Sequence, residues 1–414
     1  MRRVAMLSIH GCPLARLGTR EAGGMQLYVR ALSRELGQRG VGVDVFTRRV
    51  NPALPTIVPF GQDARVVHLD AGPAASIDKS AVFELLPEFV CNLQRFRRSE
   101  GIEYDYLHSH YWLSGWVGSR LADRWNIPHV AMFHTLGRLK NRAMGDHAET
   151  ETRSEVETRI VSDVDRIIAS SEHERQALVD LYNARRDRVD VIPCGVDLTL
   201  FQPGDRDEAR AKLGLSGDVL LFVGRMDPIK GLDILLRAVA LLRDRPALTL
   251  VVVGGSASET EMQRAQSMAS DLGIEKLVQF RGSVAQEELP AYYNAATVCV
   301  IPSHYESFGL VAIESLACGT PVIGSMVGGL PTVIHDEENG FLVPWRHPAE
   351  FAERVETYLT DDKLREDLTR QARPSVLKFG WGAVAQRVIS VYDDVADECQ
   401  PLVRQSALAC QERR

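Results

Sequence analysis

The stretch IPCGVDLTLFQPGD, at residues 192–205, divides the chain into two halves of the same kind. It is rich in proline, glycine and aspartate and shows no helix or strand period, so we expect a linker over residues 193–204. On both sides of it, short apolar runs alternate with amphipathic runs of helical length. Such alternation is typical of parallel β-sheets that crossover helices cover on both faces. The sequence therefore predicts an α/β fold of two doubly wound domains.

The predicted strands are short, apolar and often β-branched. Before the linker they begin at residues 3, 42, 65, 104, 129, 166 and 189, and they read RVAMLSIH, GVDVFT, RVVHLD, YDYLHSH, HVAMFHT, RIIASS and VDVIP. After it they begin at residues 218, 248, 277, 298 and 321, and they read DVLLFVG, LTLVVVGG, LVQFRG, VCVIPS and PVIGSM. Helices are predicted between them, including residues 26–38, 82–98 and 172–182.

The predicted domains cover residues 1–195 and 204–380. A last helix at about 383–400 is expected to pack back on the first domain. Open α/β sheets bind ligands at the carboxyl ends of their strands. Two such domains facing each other therefore predict a ligand site in the cleft between them.

Composition and charge exclude several classes of protein. The 414 residues carry a net charge of −7, which disfavours nucleic acid or an anionic membrane as partner. Seven cysteines without a C-x-x-C pair argue against a disulfide framework or a zinc site and favour a cytoplasmic location. No window approaches the roughly 18 apolar residues of a membrane span. A homo-oligomer is compatible with the sequence.

Two cations follow the first strand of the second half, in GRMDPIKG at residues 224–231. Arg225 and Lys230 stand in a glycine-flanked loop before a helix, which suits an anion such as a diphosphate. The alternative is a pair of solvated loop charges.

Two glutamates bracket a helix start in SHYESFGLVAIESLACGTP, at residues 303–321. The free N–H groups of residues 308–310 favour an anion, and Gly309 allows close approach of the backbone. Because Glu306 and Glu314 would repel a phosphate, we expect them to bind hydroxyl groups beside it. The alternative places Glu314 on a helix surface and makes Glu306 a partner of the helix dipole.

Other polar residues follow strands of the first half. The loop after the first strand leads into a helix and resembles a phosphate-binding turn, with Gly18, Gly23 and Gly24, but it matches neither dinucleotide-binding nor P-loop spacing. Three histidines stand at two successive strand ends, and we expect at least one of them to be functional: His108, His110 and His134. Two D-x-D triplets are interpreted as structural and no metal site is predicted: Asp163 with Asp165, and Asp205 with Asp207.

These motifs resemble glycosyltransferase family 4, the retaining, nucleotide-sugar-dependent enzymes of the GT-B fold, which has two Rossmann-like domains. The resemblance extends over nearly the whole chain and rests on EAGGMQLYVRALSREL, HSHYWLSG, HTLGRLKN, GRMDPIKG, the stretch 303–334 and NGFLV. Within the family the chain most resembles enzymes with a phosphorylated small acceptor. These are the mycothiol-pathway N-acetylglucosaminyltransferase that acts on inositol phosphate, and the sucrose-phosphate synthase group.

The resemblance implies roles for individual residues. Arg225 and Lys230 would bind the donor diphosphate and Glu314 the nucleotide ribose. The remaining implied donor contacts are Gly24, Val284, Glu306, Phe308, Gly309 and Leu310, and the implied catalytic residues are His134, Arg225, Lys230 and Glu306. The implied acceptor residues are Gly24, Gln26, Lys79, Tyr111, Thr135 and Arg153, with Gln26 standing where the mycothiol enzyme has asparagine. By composition alone Lys79 and Arg153 would be solvated charges.

The implied activity is retaining transfer of a hexosyl group from UDP-glucose or UDP-N-acetylglucosamine. The acceptor would be fructose 6-phosphate, a similar sugar phosphate, or inositol phosphate. The reaction would need no cofactor and no essential divalent metal, and the leaving phosphate would take the acceptor proton on the attacked face. Three alternatives stay open: a nucleotide-sugar epimerase, a protein that only binds the donor, and transfer to a polysaccharide or to a lipid through the basic helix with Arg30, Arg34 and Arg39.

Overall fold

Two separate β-sheets organise the chain in the computed structural model, which describes residues 2–15, 23–145, 149–245, 247–255, 259–344 and 347–411. Within these residues the first sheet has the order β3-β4-β2-β1-β5-β6-β7-β8, and every pair is parallel except β3 with β4. Its strands are β1 (Arg3–Leu7), β2 (Gly42–Arg48), β3 (Ile57–Gly61), β4 (Ala64–Leu69), β5 (Tyr106–His110), β6 (His129–Met132), β7 (Arg166–Ala169) and β8 (Val189–Val191).

The second sheet is parallel throughout its described strands and has the order β11-β10-β9-β12-β13-β14. Its central strands are apolar and almost fully buried, as expected when helices cover both faces. Its strands are β9 (Asp218–Val223), β10 (Leu248–Val253), β11 (Val278–Gly282), β12 (Val298–Ile301), β13 (Val322–Ser325) and β14 (Gly340–Val343).

Helices connect the parallel strands and cover the sheets. In the first half the described helices are α1 (Gly24–Gln38), α2 (Lys79–Glu84), α3 (Leu86–Glu100), α4 (Trp112–Trp125), α5 (Gly137–Met144), α6 (Glu151–Asp163) and α7 (Glu172–Tyr182). In the second half they are α8 (Arg206–Leu213), α9 (Leu232–Leu241), α10 (Glu259–Asp271), α11 (Leu289–Ala295), α12 (Leu310–Ala317), α13 (Leu330–Val333), α14 (Pro348–Thr360), α15 (Asp362–Val376) and α16 (Trp381–Gln411).

The predicted fold class is confirmed, with differences in detail. Strands β3 and β14, which lie at sheet edges, were not predicted. The residues of β3 are mostly exposed or half-buried, so burial imposes little pattern on them, whereas β14 is a mostly buried strand of four residues. The helix predicted over residues 82–98 is two helices, α2 and α3, which meet at Leu85. Pro87 lies in the first turn of α3 and has no N–H to donate to a carbonyl of the preceding helix. A new helix therefore begins there instead of the first one continuing.

The order of the strands decides where a ligand can bind. In each sheet the winding reverses beside the first strand, between β1 and β5 and between β9 and β12. A crevice opens at the carboxyl ends of strands on either side of such a switch point. The topology therefore predicts a binding edge at the loops after β1, β5, β9 and β12 and at the helix starts that follow them. These segments carry Gly24, Tyr111, Arg225, Lys230 and Glu306.

The last helix, α16, leaves the second sheet and packs on the first. The rings of Tyr392 and Tyr106 stack with centroids 5.0 Å apart, and the Tyr392 hydroxyl lies 2.7 Å from Nδ1 of the buried His108. The guanidinium of Arg2 pairs with Asp393. None of the helices in the described part of the chain combines the length and the apolarity needed to cross a membrane.

Candidate active site

The N-termini of two helices, one from each half, meet at the centre of the cleft. Helix α1 begins at Gly24 and α12 begins at Leu310, and a Cβ placed on Gly24 would lie 2.8 Å from Cδ1 of Leu310. Neither helix has an acidic residue in its first turn. Each N-terminus carries about half a positive charge, so their convergence favours an anion by roughly 0.3–2 kcal/mol per helix.

The backbone just before α12 adopts a conformation that requires glycine. Gly309 has φ of +106°, and a Cβ there would also lie 2.7 Å from Cδ2 of Leu330. The N–H of Gly329 donates to the Glu306 carbonyl at 2.8 Å, which fixes the preceding turn. The N–H groups of residues 308–310 are thus held at the start of the helix by both the turn and the packing.

Lys230 and Glu306 form an ion pair across the ends of β9 and β12. The Lys230 ammonium donates to Oε2 of Glu306 at 2.6 Å, and both side chains are partly buried. Lys230 ends a short 3₁₀ turn, Pro228–Lys230, which Asp227 caps by accepting from the Ile229 N–H at 3.2 Å. Within the described residues, the side chain of Arg225 makes an exposed contact with Asp227 at 3.4 Å, which contributes little and leaves Arg225 able to turn toward a ligand.

Glu314 lies within α12 and points into the core of the second domain. It is 6% exposed, and Oε2 accepts a hydrogen bond from the buried Tyr293 hydroxyl at 2.8 Å. Burial raises the pKa of Glu314 to about 7, although the hydrogen bond from Tyr293 opposes that shift. The alternative interpretation of Glu314 as a surface helix residue is therefore wrong, and Tyr293 is a supporting residue that the sequence did not reveal.

The candidate acceptor residues of the first domain come together around the ring of Tyr111. The Arg153 guanidinium lies 4.8 Å from the ring centroid and the Lys79 ammonium lies 5.1 Å from it. Nη2 of Arg153 donates to the carbonyl of Thr135 at 2.7 Å and to its hydroxyl at 3.0 Å. Four residues from four separate stretches of sequence thus form one cationic cluster.

Arg153 is held in this cluster by two carboxylates. It is only 1% exposed, and it pairs with Glu157 at 2.7 Å and with Glu149 at 2.9 Å. Glu157 is itself buried and also accepts from the Gly137 N–H and the Tyr182 hydroxyl, at 2.9 and 2.6 Å. The solvated-charge interpretation is therefore wrong for Arg153.

Lys140 joins the same cluster through Glu149, since its ammonium donates to the Glu149 carboxylate at 2.6 Å. Neither residue was among the sequence candidates. The spacing of Arg153 and Glu157 by four residues on α6 is the signal that could have revealed Glu157, because such residues share one helix face. Glu149 precedes that helix, and only the fold brings it to Arg153.

Lys79 keeps its side chain open to solvent, but its ammonium lies in the concave face of the cleft. Removal from bulk water and the charges of Arg153, Lys140 and Arg225 lower the pKa of Lys79 to about 8, against the opposite effect of Glu149. Arg225 belongs to the second domain, so the cations of the two domains are close enough for their charges to interact.

The three histidines differ in environment. Nε2 of His134 lies 2.9 Å from Nδ1 of His110, and burial lowers the pKa of His134 to about 3, so its ring is neutral at physiological pH. His134 has φ of +60° and Tyr111 has φ of +75°, which are strained values for side chains of this size. His108 and His110 are fully buried and lie beneath the cleft.

The remaining candidates lie around this centre. The buried Gln26 accepts from the Gly23 N–H at 2.9 Å, and Val284 packs partly buried against the core that the two domains share. Gly18 lies outside the described residues.

Asp205 caps α8 by accepting from the Glu208 N–H, and Asp165 accepts from the His129 N–H, so one aspartate of each D-x-D triplet has a structural role. Over the described ranges, no group of three or more His, Cys, Asp or Glu side chains is arranged to hold a metal ion.

Comparisons with known proteins find relatives over nearly the whole chain. Residues 22–200 match the family model described as Glycosyltransferase Family 4, and residues 205–374 match the one described as Glycosyl transferases group 1. A D-inositol 3-phosphate glycosyltransferase of Frankia alni is 45% identical, over 93% of this chain and 97% of that protein. One from Geodermatophilus obscurus is 43% identical, over 96% and 90%. The solved sucrose-phosphate synthase of Thermosynechococcus elongatus superimposes with a TM-score of 0.89 at 37% identity, over 95% of this chain and 99% of that one.

Burial of Glu314 predicts a pH-dependent gain in stability when its charge is removed. Its pKa is about 7 in the folded protein, above its ordinary value of 4.5, so the folded state holds the proton more tightly and ionisation destabilises it as the pH rises from about 4.5 to 7. Glu314→Gln keeps the acceptor for Tyr293 but cannot ionise. We expect the difference in unfolding free energy between variant and wild type to shift in favour of the variant by roughly 2 kcal/mol when the pH is raised from 5 to 8.

Urea denaturation at the two pH values measures this difference. Glu366→Gln on the exposed face of α15 is the matched control and should stay within about 0.5 kcal/mol of wild type at both. A Glu314→Gln variant whose difference from wild type is the same at pH 5 and pH 8 would contradict the raised pKa.

Proposed function

Because this chain belongs to glycosyltransferase family 4 and is a glycosyltransferase, we propose that it moves a hexosyl group from a nucleotide-sugar to a phosphorylated small acceptor. The observation that carries the proposal is the pairing of two cationic sites across one cleft. Lys230, Arg225 and the N-terminus of α12 form one site, and Lys79, Tyr111, Thr135 and Arg153 form the other. A protein that binds one phosphorylated ligand would need only one of these two cationic sites.

On the donor side, the proposed leaving group is a nucleoside diphosphate. Lys230, Arg225 and the N–H groups of residues 308–310 would stabilise the negative charge that develops on it as the bond to the sugar breaks. Glu314 would accept hydrogen bonds from the ribose hydroxyls through Oε1, since Oε2 already accepts from Tyr293. Glu306, held by Lys230, would orient the sugar beside the diphosphate.

On the acceptor side, the cluster around Tyr111 would hold a phosphate group. Arg153 is fixed by Glu149 and Glu157 before any ligand arrives, so little side-chain entropy is lost on binding. Lys79 is exposed beside the Tyr111 ring and would supply a second positive charge to the phosphate. The names of the relatives favour inositol phosphate as the acceptor, while the similarity to a sucrose-phosphate synthase favours a sugar phosphate such as fructose 6-phosphate.

The proposed mechanism retains the configuration at the anomeric carbon. The acceptor hydroxyl would attack from the face that the diphosphate leaves, and the departing phosphate would take its proton. The ring of His134 is neutral, so it would orient the sugar through a hydrogen bond rather than as a cation. Lys230, Arg225 and the two helix N-termini would provide the positive charge that a divalent metal supplies in other transferases. We favour a uridine nucleotide carrying glucose or N-acetylglucosamine as donor.

The contacts of the basic residues on α1 argue against a lipid acceptor. Arg30 donates to Gln286 at 2.7 Å, Arg34 donates to the Phe60 carbonyl at 3.0 Å, and Arg39 pairs with Glu35. Their charges therefore stabilise the fold and are not arranged as a membrane-binding face. The five described cysteines are unbridged, which supports the proposed cytoplasmic setting: Cys12, Cys91, Cys194, Cys299 and Cys318.

A matrix of substrates tests the proposal. UDP- and GDP-sugars are combined with fructose 6-phosphate, glucose 6-phosphate and inositol phosphates, with and without EDTA, and release of the nucleoside diphosphate is measured. We expect acceptor-dependent release from a UDP-sugar that EDTA does not abolish, and a product with the anomeric configuration of the donor. Consumption of the donor without an acceptor and without diphosphate release would instead identify an epimerase.

Removal of the Lys230 ammonium is expected to slow the chemical step. Lys230→Ala should lower turnover by about 10² to 10³, because a fixed donor to developing charge contributes on this scale. Lys276→Ala, at an exposed position of the same domain, is the control and should retain turnover. Near wild-type turnover in Lys230→Ala would rule out its role at the diphosphate.

The acceptor phosphate is best tested at Lys79 rather than at Arg153. Truncation of Arg153 would leave Glu157 buried without its counter-charge and would destabilise the domain itself. Lys79→Met removes only the charge of an exposed side chain, and it should lower kcat/KM for the phosphorylated acceptor by about 10- to 100-fold, mainly through KM.

The readout that distinguishes this role is the preference for the phosphorylated acceptor over its plain counterpart. We expect the preference to fall in Lys79→Met and to stay unchanged in Lys212→Met, an exposed control on α8. An unchanged preference in Lys79→Met would remove Lys79 from the phosphate site.

A further inference from the structure

One polar contact joins the first domain directly to the backbone that begins α12. The Ser170 hydroxyl donates to the Ser307 carbonyl at 3.1 Å, and the Ser171 hydroxyl lies 3.5 Å from the same oxygen. Both serines follow β7 and are almost fully buried. The Ser307 carbonyl and the Phe308 N–H belong to one peptide group. The first domain therefore contacts the group whose N–H faces the donor in the proposed function.

Glu174 fixes the position of Ser170. Its Oε2 accepts from the Ser170 N–H at 2.7 Å and lies 2.6 Å from the Ser170 hydroxyl oxygen, so the one hydroxyl proton is shared between this oxygen and the Ser307 carbonyl unless Glu174 is itself protonated and donates to the hydroxyl. Glu174 is 2% exposed, and its Oε1 has no hydrogen-bond partner within the described part of the chain. Burial raises the pKa of this carboxyl group. Burial of a carboxyl oxygen without a hydrogen-bond partner costs free energy. The hydrogen bonds of the other oxygen, Oε2, offset that cost.

Capping of α7 does not account for this arrangement. Ser171 is the N-cap and accepts from the Glu174 N–H at 3.2 Å, which completes the helix start without Ser170. In the usual capping box, the glutamate returns to the N–H of the N-cap residue itself. Here Glu174 reaches one residue further back and holds both polar groups of Ser170. The hydroxyl is thereby placed between the carboxyl group and the Ser307 carbonyl.

We propose that Ser170, oriented by Glu174, is a positioning residue that strengthens donor binding through the Ser307–Phe308 peptide group. A hydrogen bond to the carbonyl of a peptide polarises it, so its N–H becomes a better donor. The contact also fixes the orientation of that peptide relative to the first domain. The Ser307–Phe308 peptide group then links two events: its carbonyl accepts from the first domain, and its N–H would donate to the diphosphate. This inference rests on the proposed function, which assigns the Phe308 N–H to the donor.

Other contacts hold the two domains together independently of this hydroxyl. Ile229 and Tyr305, from loops of the second sheet, pack into a hydrophobic cluster of the first domain. Arg30 on α1 donates to Gln286 at 2.7 Å. Loss of the Ser170 hydroxyl alone should therefore leave the domains packed, and its effect should appear in donor binding rather than in stability.

Calorimetric titration of Ser170→Ala with UDP and, separately, with GDP tests the inference. For the nucleotide that binds the wild type, we expect the variant to bind about three- to tenfold more weakly, the scale of one hydrogen bond. In steady-state kinetics the donor KM should rise by the same factor, while the acceptor KM stays within about twofold. The unfolding temperature should change by less than about 4 °C. Ser170→Thr, which keeps the hydroxyl, should restore donor affinity.

Gln286→Ala is the matched control, since it removes another contact between the domains without touching residues 306–310. It should bind the nucleotide within about twofold of wild type. Wild-type affinity in Ser170→Ala, or an equal loss in both variants, would overturn the inference. A wild-type protein that binds neither UDP nor GDP would instead contradict the proposed function, so the two failures are distinguishable.

Discussion

The close approach of the first turns of α1 and α12 is the constraint on which the rest of the cleft depends. Gly24 allows Leu310 to come within van der Waals distance, so two positive helix ends converge on one volume. Their partial charges would repel each other if nothing negative lay nearby. Glu306 lies beside this volume but is already paired with Lys230. The arrangement is therefore most stable with an anion bound, which explains why the fold brings both helices together at an otherwise unfavourable place.

The charged groups on the two sides of the cleft are prepared in different ways. On the first domain, Arg153 is buried and its charge is balanced by Glu149 and Glu157. This pairing offsets the cost of burying the guanidinium and fixes its direction. On the second domain, Arg225 is exposed and can adjust to a ligand, whereas Lys230 is partly buried and paired with Glu306. Fixed cations in both proposed sites, with one adaptable cation beside the proposed donor, would suit a reaction in which the diphosphate must leave.

The sequence predicted the fold class because its strands are buried on both faces and are therefore continuous apolar runs. It missed β3 and β14, which lie at sheet edges, and it joined α2 to α3 across Pro87. The loops of the candidate site were predictable from glycines and charges at strand ends. Some of the buried partners were not predictable: Tyr293 is 21 residues from Glu314, and nothing local distinguishes Tyr293 from a core residue or Lys140 from a surface residue. Glu157 could have been predicted, because it lies four residues after Arg153 on the same helix. For Arg153, the local pattern even indicated the opposite environment, because burial of a charge depends on partners that only the fold brings together.

The titrating groups of the cleft differ in kind from the groups proposed to act on the diphosphate. His134 is neutral because burial lowers its pKa to about 3, and Glu314 has a pKa of about 7 because it lies in the core. Neither can supply a constant positive charge. In the proposed function that charge would come instead from Arg225, Lys230 and oriented peptide groups. Stabilisation of the leaving group is thereby separated from proton transfer. The pH dependence of such a site should arise from binding, through Glu314 on the donor side and Lys79 on the acceptor side, and not from the charge that stabilises departure.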